Sequence, residues 1–474
     1  MTALQADRIA SATSLSPADR AWLRMDSPSN LMIVNGVMVF DEPLALEDVR
    51  RLVGERLVSI PRFGHRVVPS PAGGRPVWQP DEGFDLARHV TAGRLPAPGD
   101  EAALQSVVGE MISNPLDPQR PPWHFHLLEG YKGGSALVGR LHHCIGDGIA
   151  LMMVLLSLVD PPAAVLEPER EPPRSPEQNP FRRLFSGAQH DARALREAVE
   201  KVMPEGMKLL LNPVEAVQRI QPWKKAIAAT GAIGKLALRS NDPKTVFKGE
   251  LGVPKRVAWS RRLPMDEVRE LKERFGGTIN DLLLTAMTGG LRRYMIERGE
   301  SPEGVNFRAA VPVNLRPLEK MADLGNEFGL VFLSLPVGIA DARRRMAELQ
   351  LRMQALKRSA ESFAVLGFLR FLGRSPAALQ RGVVRILSKK ATAVMTNVPG
   401  PQESLHFGGR RIRELFFWVP QSGGVGLGVS ILSYAGYVQL GVVTDAGLVP
   451  DPQGIIDGFH QEYEQMLRVG GHNT

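Results

Sequence analysis

Ser135-Ala136-Leu137-Val138-Gly139-Arg140-Leu141-His142-His143-Cys144-Ile145-Gly146-Asp147-Gly148 is the most informative segment of the chain. Ser135 to His142 is apolar and strand-like. Trp123 to Leu128 before it reads as its partner strand, joined through the Gly-rich turn Glu129 to Gly134. After His143 the chain turns through Gly146-Asp147-Gly148 into an apolar stretch ending at Val159, which reads as a helix. Neighbouring strand residues point to opposite faces, so His142 and His143 do not converge on one atom. One faces the core and is structural, and the other faces a cleft. That geometry, with no fourth ligand in view, argues against a zinc site made of the two histidines and Asp147, and no metal is expected. A histidine at a strand end beside a cleft suits general-base work, because its ordinary pKa lies near neutrality. The glycines let the backbone turn tightly and approach a ligand. Cys144 follows His143 directly, points away from it on a strand, and reads as a buried thiol rather than a nucleophile.

Outward from this segment the pattern is mixed α/β. Leu31 to Phe40 reads as a strand, and Leu46 to Val58 and Glu101 to Met111 as helices. Pro161 to Pro180 holds seven prolines and many charges, which no core element tolerates, so it reads as a linker. Phe181 to Ser240 reads as an interrupted, basic helical connection. The second half repeats the mixed pattern: strands at Arg256 to Leu263, Val305 to Val313 and Phe328 to Leu335, and helices at Met265 to Phe275, Thr278 to Arg298 and Ala340 to Lys357. A hairpin at Gly426 to Tyr434 and Tyr437 to Val443 follows, and Asp451 to Val469 is the last helix. The expected division is 1–160, 161–250 and 251–474, two similar α/β halves with a site between them.

With 474 residues, two domains are the natural expectation. A single cysteine leaves no intrachain disulfide and fits a reducing cytosol. Met1 to Ser16 lacks the pattern of a signal peptide, and the longest apolar run, Ile149 to Val159, is too short to span a membrane. The net charge of +8 is concentrated. Phe181 to Lys248 holds 13 Lys and Arg against 6 Asp and Glu, and Glu361 to Lys390 holds 6 against 1. Such surfaces attract phosphorylated ligands or anionic headgroups. The second segment also carries Phe363, Leu366, Phe368, Leu369, Phe371 and Leu372, a mix that suits an interfacial helix or the wall of a lipid tunnel. With 6% aromatic residues and no recognised module, nucleic acid is not an expected partner. Gly423-Gly424-Val425-Gly426-Leu427-Gly428 precedes a strand rather than a helix and is no dinucleotide fingerprint.

His-His-x-x-x-Asp-Gly resembles the signature of the coenzyme A-dependent acyltransferase superfamily, which includes chloramphenicol acetyltransferase and peptide-synthetase condensation domains. The whole chain is similar to one branch of it, the bacterial wax ester synthase/diacylglycerol acyltransferases. The pieces stand in that family's order: Pro61-Arg62-Phe63, Pro76-Val77-Trp78, Phe84-Asp85-Leu86 with His89, Pro115-Leu116-Asp117, Arg120-Pro121-Pro122-Trp123, the histidine motif, Asn280-Asp281, Val311-Pro312-Val313-Asn314-Leu315-Arg316, Gly325-Asn326 and Thr396-Asn397-Val398-Pro399-Gly400-Pro401. Two departures stand out: the family's Pro-Leu-Trp is Pro121-Pro122-Trp123, and the usual acidic residue after that Trp is His124.

The resemblance implies two chloramphenicol-acetyltransferase-like mixed-sheet domains with the active site at their interface. It implies acyl transfer from acyl-CoA, a co-substrate rather than a bound cofactor, to diacylglycerol or a long-chain fatty alcohol. His143 would be the general base, His142, Asp147 and Gly148 would hold the loop, and no acyl-enzyme is needed. Asn280, Thr396 and Asn397 are candidates to bind the oxyanion, and Arg316 is the candidate partner of Asp147. Two bland roles compete: Asn280-Asp281 also reads as a capped helix start, and Asn397 to Pro401 as a rigid turn. The implied setting is cytoplasmic, with peripheral association on the inner face of the plasma membrane or on lipid inclusions. Competing functions are acyl transfer to a non-lipid hydroxyl or amine, and non-catalytic lipid binding on the same fold.

Overall fold

The computed structural model describes residues 12–70, 74–160, 239–314, 326, 328–357, 374–421 and 423–470. The expected linker and most of the basic connection, together with Arg316 and the Phe/Leu-rich stretch 361–373, lie outside them.

The first half runs β1 (Thr13–Ser14), α1 (Pro17–Met25), β2 (Ile33–Phe40), α2 (Leu46–Arg56), a 3-10 turn at Pro61–Phe63, β3 (His65–Val68), β4 (Val77–Pro80), α3 (Leu86–His89), β5 (Val90–Arg94), α4 (Glu101–Ser113), β6 (Trp123–Tyr131), β7 (Gly134–His142) and α5 (Gly148–Leu158). The second runs β8 (Lys255–Trp259), β9 (Leu263–Pro264), α6 (Met265–Phe275), α7 (Ile279–Glu297), β10 (Phe307–Asn314), β11 (Phe328–Leu335), α8 (Ala342–Lys357), α9 (Ala377–Ser388), β12 (Ala393–Pro399), β13 (His406–Phe407), β14 (Arg410–Trp418), β15 (Leu427–Tyr434), β16 (Tyr437–Asp445) and α10 (Pro452–Gly470).

Local chemistry sets many of these boundaries. Ser16 caps α1 through Asp19 N–H, with Pro17 in the first turn. Asp147 caps α5 through Ala150 N–H at 3.0 Å. Thr278 and Asp281 form a reciprocal capping box on α7. Two hairpins use the same device: Lys132-Gly133 between β6 and β7, and Ala435-Gly436 between β15 and β16, both pairs in the left-handed region that a two-residue turn requires.

Two mixed sheets result. The first has the order β13-β14-β2-β7-β6-β5, and the second β11-β10-β12-β15-β16-β8, with β9 also on β16; β1, β4 and β3 form a small third sheet. The expected boundary between halves is crossed by β14, with the short β13 paired outside it. Strand β14, from the second half, pairs antiparallel with β2 and so belongs to the first sheet. It was not anticipated, because its charged start, Arg410 to Glu414, hides a buried end, Leu415 to Trp418. On one face of the first sheet Val37, Val39, Val138, Phe416 and Trp418 pack with Val257, Trp259 and Val443 of the second, and Trp259 stacks on Phe416 at 4.8 Å. The opposite face, with Val34, Leu141 and Leu415, is covered by α5 and faces the cavity described next.

Candidate active site

His142 is the last residue of β7, and its backbone N–H is bonded to Pro122 O. Its Nδ1 accepts the N–H of Cys144 at 3.1 Å, which places its proton on Nε2, 3.7 Å from Asp26 Oδ2. Its ring is buried and locks the loop. The next residue, His143, is also buried but lines a cavity. Its ring stacks on Trp22 of α1, with centroids 4.0 Å apart and 17° between planes. The two histidines therefore take separate structural and cavity-facing positions, as strand geometry requires.

Asn326 decides the protonation of His143. Asn326 Nδ2 donates to Asp19 Oδ1 and to His143 O, both at 2.8 Å, and these acceptors fix the amide's orientation. Its Oδ1 then lies 2.8 Å from His143 Nδ1 and can only accept. The proton of His143 is thus held on Nδ1, and Nε2 carries the lone pair. Burial pushes the imidazole down to a pKa of about 4, against the opposing pull of Asp147 and Asn326. The ring is neutral at physiological pH.

Behind Asn326 stands Asp19, fully buried on α1, whose carboxyl burial pushes above the usual range while Arg62 draws it back. Arg62 Nη2 lies 3.3 Å from Asp19 Oδ2, and its Nη1 donates to Ile145 O at 2.6 Å. One guanidinium thereby ties the histidine loop to the aspartate behind it. Arg62 also lies over the Trp78 ring, 5.5 Å from its centroid. Arg316, the expected arginine for Asp147, is outside the described residues.

The cavity holds about 150 Å³ and is predominantly apolar. Leu151, Met152 and Leu155 of α5 form one side. Both sheets contribute: Val34, Gly36, Gly139 and Leu141 from the first, and Ala310, Val394, Thr396 and Leu432 from the second. Asp147 and Gly148 stand at its polar end beside His143, and a Cβ on Gly148 would meet nothing within 4 Å. The structure thus brings His143, Asp147, Gly148, Thr396 and Asn397 to one cavity. Along β12, Val394 and Thr396 to Pro399 line it, while Met395 packs in the second core. Asn397 shares the face of Met395, and its Nδ2 donates to Asn280 Oδ1 at 2.8 Å. Asn280 lies at the start of α7, whose capping is done by Thr278 and Asp281. Asn280 and Asn397 therefore tie α7 to β12, and Thr396 and Asn397 both line the cavity. Cys144 is fully buried in the core. Among the described residues, no three His, Cys, Asp or Glu side chains gather as a metal site.

Comparison with known proteins matches the same architecture. Residues 15–283 fit the wax ester synthase/diacylglycerol acyltransferase catalytic domain, and residues 324–467 fit the WS/DGAT C-terminal domain. The chain belongs to the wax ester synthase/diacylglycerol acyltransferase family. A Mycobacterium tuberculosis protein assigned as a diacylglycerol O-acyltransferase is 31% identical over 443 residues, 88% of each chain. Another from that organism, tgs1, assigned the same activity, is 27% identical over 424 residues, 88% of this chain and 87% of the other. In fold, the wax ester synthase/diacylglycerol acyltransferase of Marinobacter aquaeolei VT8 superposes with a TM-score of 0.68 at 21% identity, over 97% of this chain and 100% of that one. The first condensation domain of the calcium-dependent antibiotic synthetase reaches 0.58 at 14%, over 97% of both. The expected family and two-domain fold are thus borne out.

Within this acyltransferase the ordered motif pieces acquire places. Arg62 braces the histidine loop, and Trp78 lies under its guanidinium. Trp123 donates Nε1–H to Phe63 O at 2.8 Å and stacks on His89, which is bonded to Trp123 O. The departure at His124 lies on the other face of β6, where Thr91 Oγ1 bridges His124 Nε2 and His126 Nδ1. Burial, then His126 and Arg140, lower His124 to a pKa of about 4. Sequence reasoning missed Asp19, Trp22, Arg62 and Asn326 as site residues. Arg62 and Asn326 stood in quoted motifs; Asp19 and Trp22 had no signal at all.

Proposed function

We propose that this acyltransferase moves a long-chain acyl group from acyl-CoA to the hydroxyl of diacylglycerol or of a long-chain fatty alcohol, both substrates being bound together. The observation that carries the proposal is His143 Nε2, left as an unprotonated acceptor by the Asn326 contact and held at the polar end of an apolar cavity. Nε2 takes the hydroxyl proton as the alkoxide oxygen attacks the thioester carbonyl. The imidazolium then gives that proton to the departing coenzyme A thiolate, which closes the proton balance without an acyl-enzyme. The positive ring is stabilised through Nδ1–H by Asn326, with Asp19 behind it. Thr396 is the candidate donor to the tetrahedral oxyanion. Acyl-CoA is consumed as substrate, and no resident cofactor is assigned.

The enzyme is proposed to work at a lipid surface. Helix α9 exposes Leu379 (48%) and Ile386 (52%) together with Arg381 and Arg385, and Lys389 just past its end is exposed too, a combination that suits an anionic interface. No helix among the described residues is long and apolar enough to cross a membrane.

The test is thiol release from palmitoyl-CoA with hexadecanol or diacylglycerol, with product identification. Acceptor-dependent release is expected from the wild type, and a loss of about 10²- to 10⁴-fold in His143→Ala. Release only with hydroxylated non-lipids or amines would move the acceptor to another class. No release with any acceptor, from a folded wild type, would favour a lipid-binding protein.

A further inference from the structure

The floor of the cavity has a gap with no part in the proposed proton transfer. Across the first sheet, directly paired residues form the row Phe417, Gly36, Gly139, Phe125. The rows on either side along the same face are filled: Val34 and Leu141 toward His143, and Leu415, Met38 and Leu137 beyond. Both glycines line the cavity, but the Phe125 ring lies against Gly139, so the open notch is at Gly36, beside Phe417. Every residue of β2 is buried except Gly36, which is partly open.

The two glycines differ in what they are for. A Cβ on Gly139 would strike the Phe125 ring at 2.8 Å, so Gly139 serves packing. A Cβ on Gly36 would meet only Phe416 O at 3.6 Å, an ordinary contact, and Gly36 has no left-handed backbone to demand a glycine. Glycine inside a strand weakens it by roughly 0.5–1 kcal/mol relative to alanine. Neither packing nor conformation thus accounts for Gly36, whereas open space in the cavity does.

The geometry points to Gly36 as the residue that sets how long a hydrocarbon tail this acyltransferase accepts. Gly139, its direct partner, lies four residues before His143 on and just past β7, or ~13 Å along the strand, so only a tail of roughly ten carbons or more reaches the notch. A shorter tail ends above Val34 and Leu141 and is indifferent to what stands at position 36. The notch takes either the acyl chain or the alcohol chain, which share this chemistry. The inference rests on the proposed reaction.

The test is Gly36→Val, with Gly36→Ala as the smaller step. One series varies the acyl-CoA from octanoyl to stearoyl with hexadecanol held constant, and the other varies the alcohol from octanol to octadecanol with palmitoyl-CoA held constant. In one series kcat/KM for the longest chains is expected to fall at least about tenfold relative to octanoyl-CoA or octanol. The series whose optimum shortens identifies the tail in the notch. Gly36→Ala is expected to melt at or above the wild-type temperature, which separates filling from misfolding. Calorimetric binding of the same two series tests the notch even in a preparation that fails to turn over. Unchanged length profiles in both series, from folded variants and an active wild type, would overturn the assignment. A wild type inactive with every pair, whose binding still loses long tails on Gly36→Val, would overturn the reaction and keep the notch.

Discussion

Asn326→Leu removes three contacts at once while keeping nearly the same shape. The acceptor for His143 Nδ1–H is lost, along with the donors to Asp19 Oδ1 and His143 O, each at 2.8 Å. The kinetic effect follows from the first. In the proposed reaction the His143 ring becomes positive, and a hydrogen bond to a charged group contributes about 1.5–3 kcal/mol. Losing it lowers kcat by about 10- to 150-fold. KM for both substrates is expected to hold, because Asn326 stands behind the ring and does not line the cavity. Folding stability drops as well, by about 1–3 kcal/mol, since His143 O is left buried without that donor. The acid limb of the pH profile moves down rather than up, because Asn326 now raises the His143 pKa. Asn326→Asp is the rescue. It keeps an acceptor at Nδ1 and, protonated on its other oxygen, still donates to Asp19, so it should lose far less. The assay is thiol release at saturating substrates across pH 4.5–8.5, beside a thermal melt. A folded Asn326→Leu variant with kcat within about twofold of wild type, or one whose loss lies wholly in KM, would refute the positioning role.

Four further outcomes follow from the site. His143 is held at a pKa of about 4, so kcat/KM should stay level well below pH 6 instead of halving near 6.5. The same shift makes the fold acid-sensitive. The unfolded chain protonates this histidine near 6.5 and the folded chain near 4, so stability is fully present above 6.5. It falls by up to ~3 kcal/mol as pH drops to 4, measurable as denaturant midpoints across that window. Arg62→Met leaves Asp19 buried without its cation and Ile145 O without its donor. About 2 kcal/mol of stability should go with it, together with a lower kcat, and a melt unchanged from wild type would exclude the brace. Cys144→Ala should keep kcat within about twofold while costing about 1 kcal/mol of packing, since the thiol is buried in the core. Loss of turnover in a folded Cys144→Ala protein would reinstate the thiol as a reactant.

How much of this was visible in the sequence depended on whether a contact was local. Strand β7, the turn and α5 could be read because alternation, a glycine turn and the Asp147 cap are encoded within a few residues. That His142 and His143 face opposite sides followed from strand alternation, but which of them lines the cavity did not. What escaped was held by long-range partners. Asp19 and Trp22 sit on a short helix whose sequence says only that it is capped by Ser16, and their meaning comes from residues more than a hundred positions away. Thr396 and Asn397 could not be told apart until the Asn397 amide was seen to be committed to Asn280, although both residues line the cavity.

Strand β14 has a consequence for synthesis. The edge of β2 that it covers emerges from the ribosome about 380 residues before its partner. At 5–20 residues per second that edge stays open for roughly 20–80 s. Throughout that interval β2 presents an unpaired, apolar rim of the kind that recruits stray strands. Unless something shields it, the nascent first half is a chaperone client until Trp418 arrives. A polypeptide cut after residue 283, at the end of the catalytic-domain match, would never leave that state.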